Sequence, residues 1–353
     1  MTRVTIVSGL NGKTPAAVLV EIRGYRILLD LGMGPTPGEL PDVAGIPAPD
    51  AIFLSHAHED HIGGLSLRAR WGHPPVYASA ATWSRISFSA VPQQDRRRLA
   101  ESGNGHIGPL PIITGRSGHA PGGIWLHFPH GQGLTYTGDW SLESRLIPFD
   151  YPPAAAILLT DASYGDRDEC LASQQQHFLA ALDRGAVVPL PAGGRAADVA
   201  LFLLEKGLRP RLCPEVREDI RLQRDTADRA LRPLLASLLA MQPPGTDWRS
   251  DQVILCCDAS GQRGLAAELM TQPGFRFIFS SHVAPGTPAA ALLGAEQATW
   301  LPWNVHPRLT QVVMLADLTA ARRVVPLFVN RQQCARLEAR LGGRACWQAE
   351  LSF

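Results

Sequence analysis

The chain has 353 residues, with 33 Lys+Arg against 32 Asp+Glu and a formal net charge of +1 at neutral pH. That balance excludes a protein that coats a polyanion through its overall field, so any nucleic-acid contact must come from a local patch. The 45% hydrophobic content over this length supports two cores, and no apolar run approaches a membrane span or a secretory leader, so a soluble, cytoplasmic protein with no membrane partner is expected. Cys170, Cys213, Cys256, Cys257, Cys334 and Cys346 form no CxxC pair and read as reduced thiols. The basic residues are almost all arginine, with Lys13 and Lys206 the two lysines.

From the N-terminus, apolar runs at 4–7, 17–22, 25–29 and 51–54 read as strands separated by Gly- and Pro-containing turns. The last leads into LSHAHEDHIGGL, which sets His56, His58, Asp60 and His61 directly after a buried strand. Imidazole and carboxylate are ligands that zinc, manganese and iron accept, and four of them at one strand end aim into one pocket. Asp30, closing RILLD, falls at the same sheet edge. SGHAPGG places His119 between glycines, whereas His127 and His130 lack such a setting and read as surface residues. Strands at 124–128, 134–136 and 155–159 follow, the second leading into TGDW with Asp139 and the third into TDASYG with Asp161.

From about 168 to about 285 the pattern changes to alternating helices and strands: helix 170–185, strand and Gly-rich turn 186–194, helix 196–207, a long helical stretch 216–242 interrupted near Pro233, and strands at 251–257 and 275–281. This reads as an inserted α/β lobe. A helix at 312–318 and a strand at 322–329 then return to the first sheet.

HAHEDH resembles the HxHxDH signature of the metallo-beta-lactamase fold, and His119 and Asp139 follow in the order of that family's distant ligands. TDASYGDR resembles the acidic motif that opens a beta-CASP insertion, VVPLPAGGRAADVALFLLE its first strand, Gly-Arg turn and helix, SSHVAPGTPAAALLG its closing Gly-Thr segment, and WNVHPRLTQVVMLADL the later histidine-before-helix motif. The resemblance implies an α/β protein with a four-layer αββα metallo-beta-lactamase core at 1–165 and 291–353, and a smaller beta-CASP-like α/β lobe inserted at 166–290. It implies two divalent ions, zinc first with manganese or iron as alternatives: His56, His58 and His119 on one, Asp60 and His61 on the other, Asp139 bridging them. Paired ions lower the pKa of water and present a hydroxide at neutral pH. Asp60 would orient that hydroxide, Asp161 would stand in for the motif's Glu and orient His306, and His306 would contact the scissile phosphate or protonate its leaving oxygen. Where the family closes with VHG, this chain has VVPLFVNR, with Phe328 or Asn330 in place of the histidine. Asp30, Arg195, His282 and Asn330 are candidates for substrate or metal support.

The reaction expected from this pattern is metal-dependent hydrolysis of a phosphodiester in single-stranded RNA or DNA. Two alternatives stay open: a hydrolase of a lactone, thioester or cyclic phosphodiester with the lobe as lid, and a metal-binding relative without turnover. The sequence leaves oligomeric state open, a homodimer included.

Overall fold

Alternating side chains in the first strands sort residues to two opposed faces. Ile27, Leu29, Ala51 and Phe53 enter one core together with Leu126, Phe128, Ile157 and Leu159 of a second sheet, while their neighbours Leu28 and Ile52 enter another with Leu65 and Trp83. Period-2 alternation in which both faces are apolar means that each sheet is covered on both sides. Leu158 and Val324, on the far face of the second sheet, pack on Leu309, Val312 and Leu315 of the helix Leu309–Leu318 and on Leu337 of Ala335–Leu341. The layers are therefore helix, sheet, sheet, helix, as expected.

The computed structural model describes residues 2–36, 38–241, 247–280 and 282–353. One compact unit comprises Met1–Leu142, Pro148–Asp168 and His306–Phe353, and the other Glu143–Ile147 and Glu169–Val305. In the first, one sheet runs in the order Glu350–Ser352, Thr2–Ser8, Ala17–Ile22, Tyr25–Leu29, Ala51–Phe53, Val76–Ser79, Arg96–Leu99. The other runs Arg323–Leu327, Ile157–Asp161, Leu134–Tyr136, Ile124–Phe128, Leu110–Arg116, Gly103–Ile107. Tyr25–Leu29 and Ala51–Phe53 are parallel, as are Leu134–Tyr136, Ile157–Asp161 and Arg323–Leu327, so the loops after these strands emerge at shared edges.

The second unit is built on a parallel sheet in the order Arg211–Leu212, Val253–Cys257, Ala186–Leu190, Phe277–Phe279, Ala298–Trp300. It runs past the boundary at 290 drawn from the sequence, because Ala298–Trp300 pairs with Phe277–Phe279 and Trp303 lies in its core. Leu146 and Ile147 also enter that core, and Ser144 Oγ and the Arg145 N–H donate to the Asp198 carboxylate. The long helical stretch is two helices, Pro214–Thr226 and Arg232–Ala240, with Pro233 in the first turn of the second, where a missing N–H costs nothing. Gln242 and Ser281, the last residues of two expected elements, lie outside the described residues. Among the described residues no helix is long and apolar enough to cross a membrane.

His127, expected at the surface, is buried in the central strand Ile124–Phe128, with Nδ1 2.8 Å from Thr135 Oγ1. Burial pushes its pKa down to about 4. The unfolded chain takes up a proton below about pH 6.5 that the folded one refuses, so stability is intact above that pH and falls as pH drops towards 4. The loss attributable to this residue is up to about 3 kcal/mol. Urea unfolding of the wild type and of His127→Gln between pH 7 and 4.5 measures it: the variant is expected to lose less stability on acidification, and equal losses would refute the assignment.

Candidate metal centre

The loop after Ala51–Phe53 carries His56 and His58 and then turns into the short helix Glu59–Ile62, which holds Asp60 and His61. His119 comes from the turn after Leu110–Arg116, and Asp139 from the segment after Leu134–Tyr136. Donor atoms of His56, His58, His119 and Asp139 converge, those of Asp60, His61 and Asp139 form a second set, and those of Asp139, Asp161 and His306 a third.

In the first set His58 Nδ1 lies 3.0 Å from His56 Nε2 and 3.0 Å from His119 Nε2. Asp139 Oδ2 is 3.9 Å from His56 Nε2 and 3.5 Å from His119 Nε2. Four donors on a tetrahedron with bonds of about 2.05 Å stand about 3.3 Å apart, an edge these separations bracket. Three ring nitrogens gathered beside a buried carboxylate make a donor set of the kind a divalent cation takes. Burial, reinforced by His61 and His58, holds His56 well below the usual imidazole range, which keeps its lone pair available as a ligand. Asp139 Oδ1 is buried without a well-aligned hydrogen bond although His61 Nε2 is 3.2 Å away, as befits a ligand atom. The set fits a divalent ion.

His61 is oriented from behind. Asp30, buried at φ +57°, accepts from the Ser55 N–H at 2.7 Å, Ser55 Oγ at 2.7 Å and Tyr136 OH at 2.6 Å, and its Oδ2 is 2.7 Å from His61 Nδ1. The Nδ1 proton is thereby directed to Asp30 and Nε2 towards Asp139. Burial works against charge on His61, but Asp139 and Asp30 outweigh it and raise its pKa well above the ordinary value. Asp60 Oδ2 lies 3.3 Å from Lys13 Nζ. Burial pushes the Asp60 carboxyl up, and Lys13 and His61 reverse this to hold it well below the usual range.

Asp161 serves two partners. Its Oδ1 accepts from the Ser163 N–H at 2.8 Å and Ser163 Oγ at 2.6 Å, closing a turn, and its Oδ2 is 2.7 Å from His306 Nδ1. That same nitrogen is 3.6 Å from Asp139 Oδ2. Tyr164 lies edge-on to the His306 ring at 5.2 Å, and the Arg167 guanidinium sits 3.4 Å above the Tyr164 ring.

The model of the metallo-beta-lactamase superfamily matches residues 11–176, the stretch that supplies His56, His58, Asp60, His61, His119, Asp139 and Asp161. That stretch is a metallo-beta-lactamase domain. Ribonuclease TTHA0252 of Thermus thermophilus is 29% identical over 56% of this chain and 53% of its own length. Transcription termination factor FttA of Methanosarcina mazei is 27% identical over 61% of this chain and 41% of its own length. The chain thus spans about half the length, or less, of these curated relatives. A solved structure of a protein of unknown function from Enterococcus faecalis shares the fold, with a TM-score of 0.60 and 14% identity over 94% of this chain and 95% of the other.

The remaining candidates fall elsewhere. Asn330 Oδ1 accepts the Gln332 N–H and caps the turn Arg331–Gln333, so its side chain is committed locally, and it is Phe328 whose ring meets His61, centroids 5.4 Å apart. Arg195, in the second unit, donates from one terminal nitrogen to Ser280 O at 3.1 Å and Ser280 Oγ at 3.3 Å. His282 is exposed in the same unit. The sequence reading missed Lys13, Ser55 and Tyr136, since a loop lysine, a serine and a core tyrosine carry no spacing that marks them as partners of ligands.

Proposed function

We propose that this protein is a metal-dependent phosphodiesterase that cleaves single-stranded nucleic acid, with zinc as the ion at His56, His58, His119 and Asp139. The observation that carries the reading is the Asp161–His306 pair: an imidazole fixed by a buried carboxylate at 2.7 Å, with the same nitrogen 3.6 Å from Asp139. A divalent ion at the four-donor set lowers the pKa of water and polarises a phosphoryl oxygen. The leaving oxygen of a nucleic-acid phosphodiester is a poor leaving group and needs a proton, which His306 Nε2 gives while Asp161 holds the ring through Nδ1. Asp60 orients the attacking water from the opposite set. The Arg167–Tyr164 stack beside His306 offers a guanidinium and an aromatic face suited to a phosphate and a base. The likeness to a ribonuclease supports a nucleic acid over a small ester.

Leaving-group dependence tests the roles. Zinc-reconstituted protein is assayed on labelled single-stranded RNA and DNA and on bis(p-nitrophenyl) phosphate, whose leaving group needs no proton. His306→Ala is expected to lower kcat on the nucleic acid by roughly 10²–10⁴ and to spare the activated ester, with bound zinc unchanged. Asp161→Asn is expected to do the same more weakly. Cleavage of the small ester alone by the wild type, or undiminished RNA and DNA cleavage by His306→Ala, would overturn the proposal.

A further inference from the structure

The two halves of the centre are unequal. Among the described residues the first set has four converging donors and the second three. Of those three, Asp139 is shared with the first set and Asp60 is ion-paired with Lys13 at 3.3 Å, which leaves His61 as the donor that neither the first set nor a cation claims. Beside His61 stands the Phe328 ring, edge-on with centroids 5.4 Å apart, and a phenyl group offers no lone pair.

Phe328 is not there by slack packing. It has φ +63°, a conformation disfavoured for a bulky side chain, and its N–H donates to Gly9 O at 2.6 Å. Gly9 has φ +104°, and a Cβ there would lie 3.0 Å from the Phe328 ring. From Gly9 the chain enters the loop that carries Lys13. That loop is closed by Thr14 Oγ1, which accepts from the Gly9 N–H at 2.9 Å and from Ser8 Oγ at 3.1 Å. It ends where the Ala16 N–H donates to Asp60 O at 2.9 Å. Phe328, the loop and Asp60 are one connected assembly, and its outcome is an ammonium held against a carboxylate of the second set.

We propose that the centre holds one divalent ion tightly, at His56, His58, His119 and Asp139, and that the Lys13 ammonium supplies, beside Asp60, the positive charge a second ion would bring. A fixed ammonium at that point neutralises Asp60 and donates to a phosphoryl oxygen as that oxygen gains charge, with no ion to recruit. Phe328 keeps the second set short of donors. The inference rests on the reading of the first set as metal donors and is independent of which substrate is cleaved.

Zinc stoichiometry tests it. The full chain is loaded with excess zinc, dialysed against a weak chelator and analysed by elemental mass spectrometry, with calorimetric titration of the stripped protein alongside. One retained zinc per chain is expected for the wild type and for Lys13→Arg. Lys13→Ala is expected to tighten a second, weak zinc by about 10–100-fold, and Lys13→Ala combined with Phe328→His to retain two. The wild-type count needs no variant to fold, and Lys13 lies in a loop. Two retained zinc ions in the wild type, or a double variant with the wild-type count, would overturn the inference and leave the nuclease reading standing. One zinc with no cleavage of nucleic acid would do the reverse, and no retained zinc would remove the metal assignment on which the inference stands.

Discussion

Asp139→Asn is expected to release the metal on dialysis and to cost more activity than any other single replacement in the centre. Asp139 is the residue common to all three donor sets. Its Oδ2 lies 3.5 to 3.9 Å from His119 Nε2, His306 Nδ1 and His56 Nε2, and its Oδ1 lies 3.2 Å from His61 Nε2. The amide keeps the shape but removes the negative charge, and its NH2 group has no lone pair to give a cation. Metal affinity should fall by more than about 100-fold, beyond the loss seen when a ligand's outer partner is removed, and kcat by at least about 10³, the upper end of what a single oriented donor costs. Elemental analysis after dialysis is the direct measurement, with circular dichroism to show that the fold survives. His130→Ala, outside the three sets, is expected to keep its metal. A full zinc equivalent in Asp139→Asn would mean that the carboxylate is not a ligand.

Much of this centre is legible in the sequence because ligand chemistry restricts residue type and because strand ends restrict position. Four candidate ligands sit within six residues after one strand, and Asp30, Asp139 and Asp161 each follow an apolar run, so chain order alone collects them at the sheet edges. What escaped has physical causes. Arg96–Leu99 reads RRRL and Gly103–Ile107 reads GNGHI, outer strands of their sheets whose exposed faces impose no apolar alternation. Ala298–Trp300 is short and half exposed, so the inserted unit ends beyond the point where its sequence pattern fades. His127 was misassigned because a strand inside a layered core is buried on both faces, where alternation carries no signal. Phe328 was visible as a departure from the family motif, but its left-handed backbone and its hold on the Lys13 loop belong to tertiary structure alone.

Gly32→Ala is expected to be among the most destabilising single-methyl changes in the first unit, and to reach the metal as well. The tight demand here is on the backbone that Gly64 faces. A Cβ on Gly32 would lie 1.7 Å from Asp60 O, 2.3 Å from Asp60 C and 2.9 Å from Ala16 N, and a Cβ on Gly64 would lie 2.5 Å from Gly32 O. These are main-chain atoms and cannot rotate away. They are tied by backbone hydrogen bonds from Gly32 N–H to Ala16 O at 3.0 Å, from Leu31 N–H to His61 O at 2.9 Å and from Gly64 N–H to Leu31 O at 2.9 Å. Inserting a methyl group separates the strand-end segment from the helix that carries Asp60 and His61, and breaks bonds on both sides. The loss should be about 3 kcal/mol or more, a fall in Tm of roughly 6–12 °C for a domain of this size. Because the displaced segment holds Asp60 and His61, Asp60 should also leave Lys13. Gly45→Ala, where an added Cβ meets nothing within 4 Å, is the matched control and should stay within about 0.5 kcal/mol of the wild type. Thermal unfolding of the two variants side by side decides it: equal Tm values would show that the three segments are not packed backbone against backbone as the structure has them.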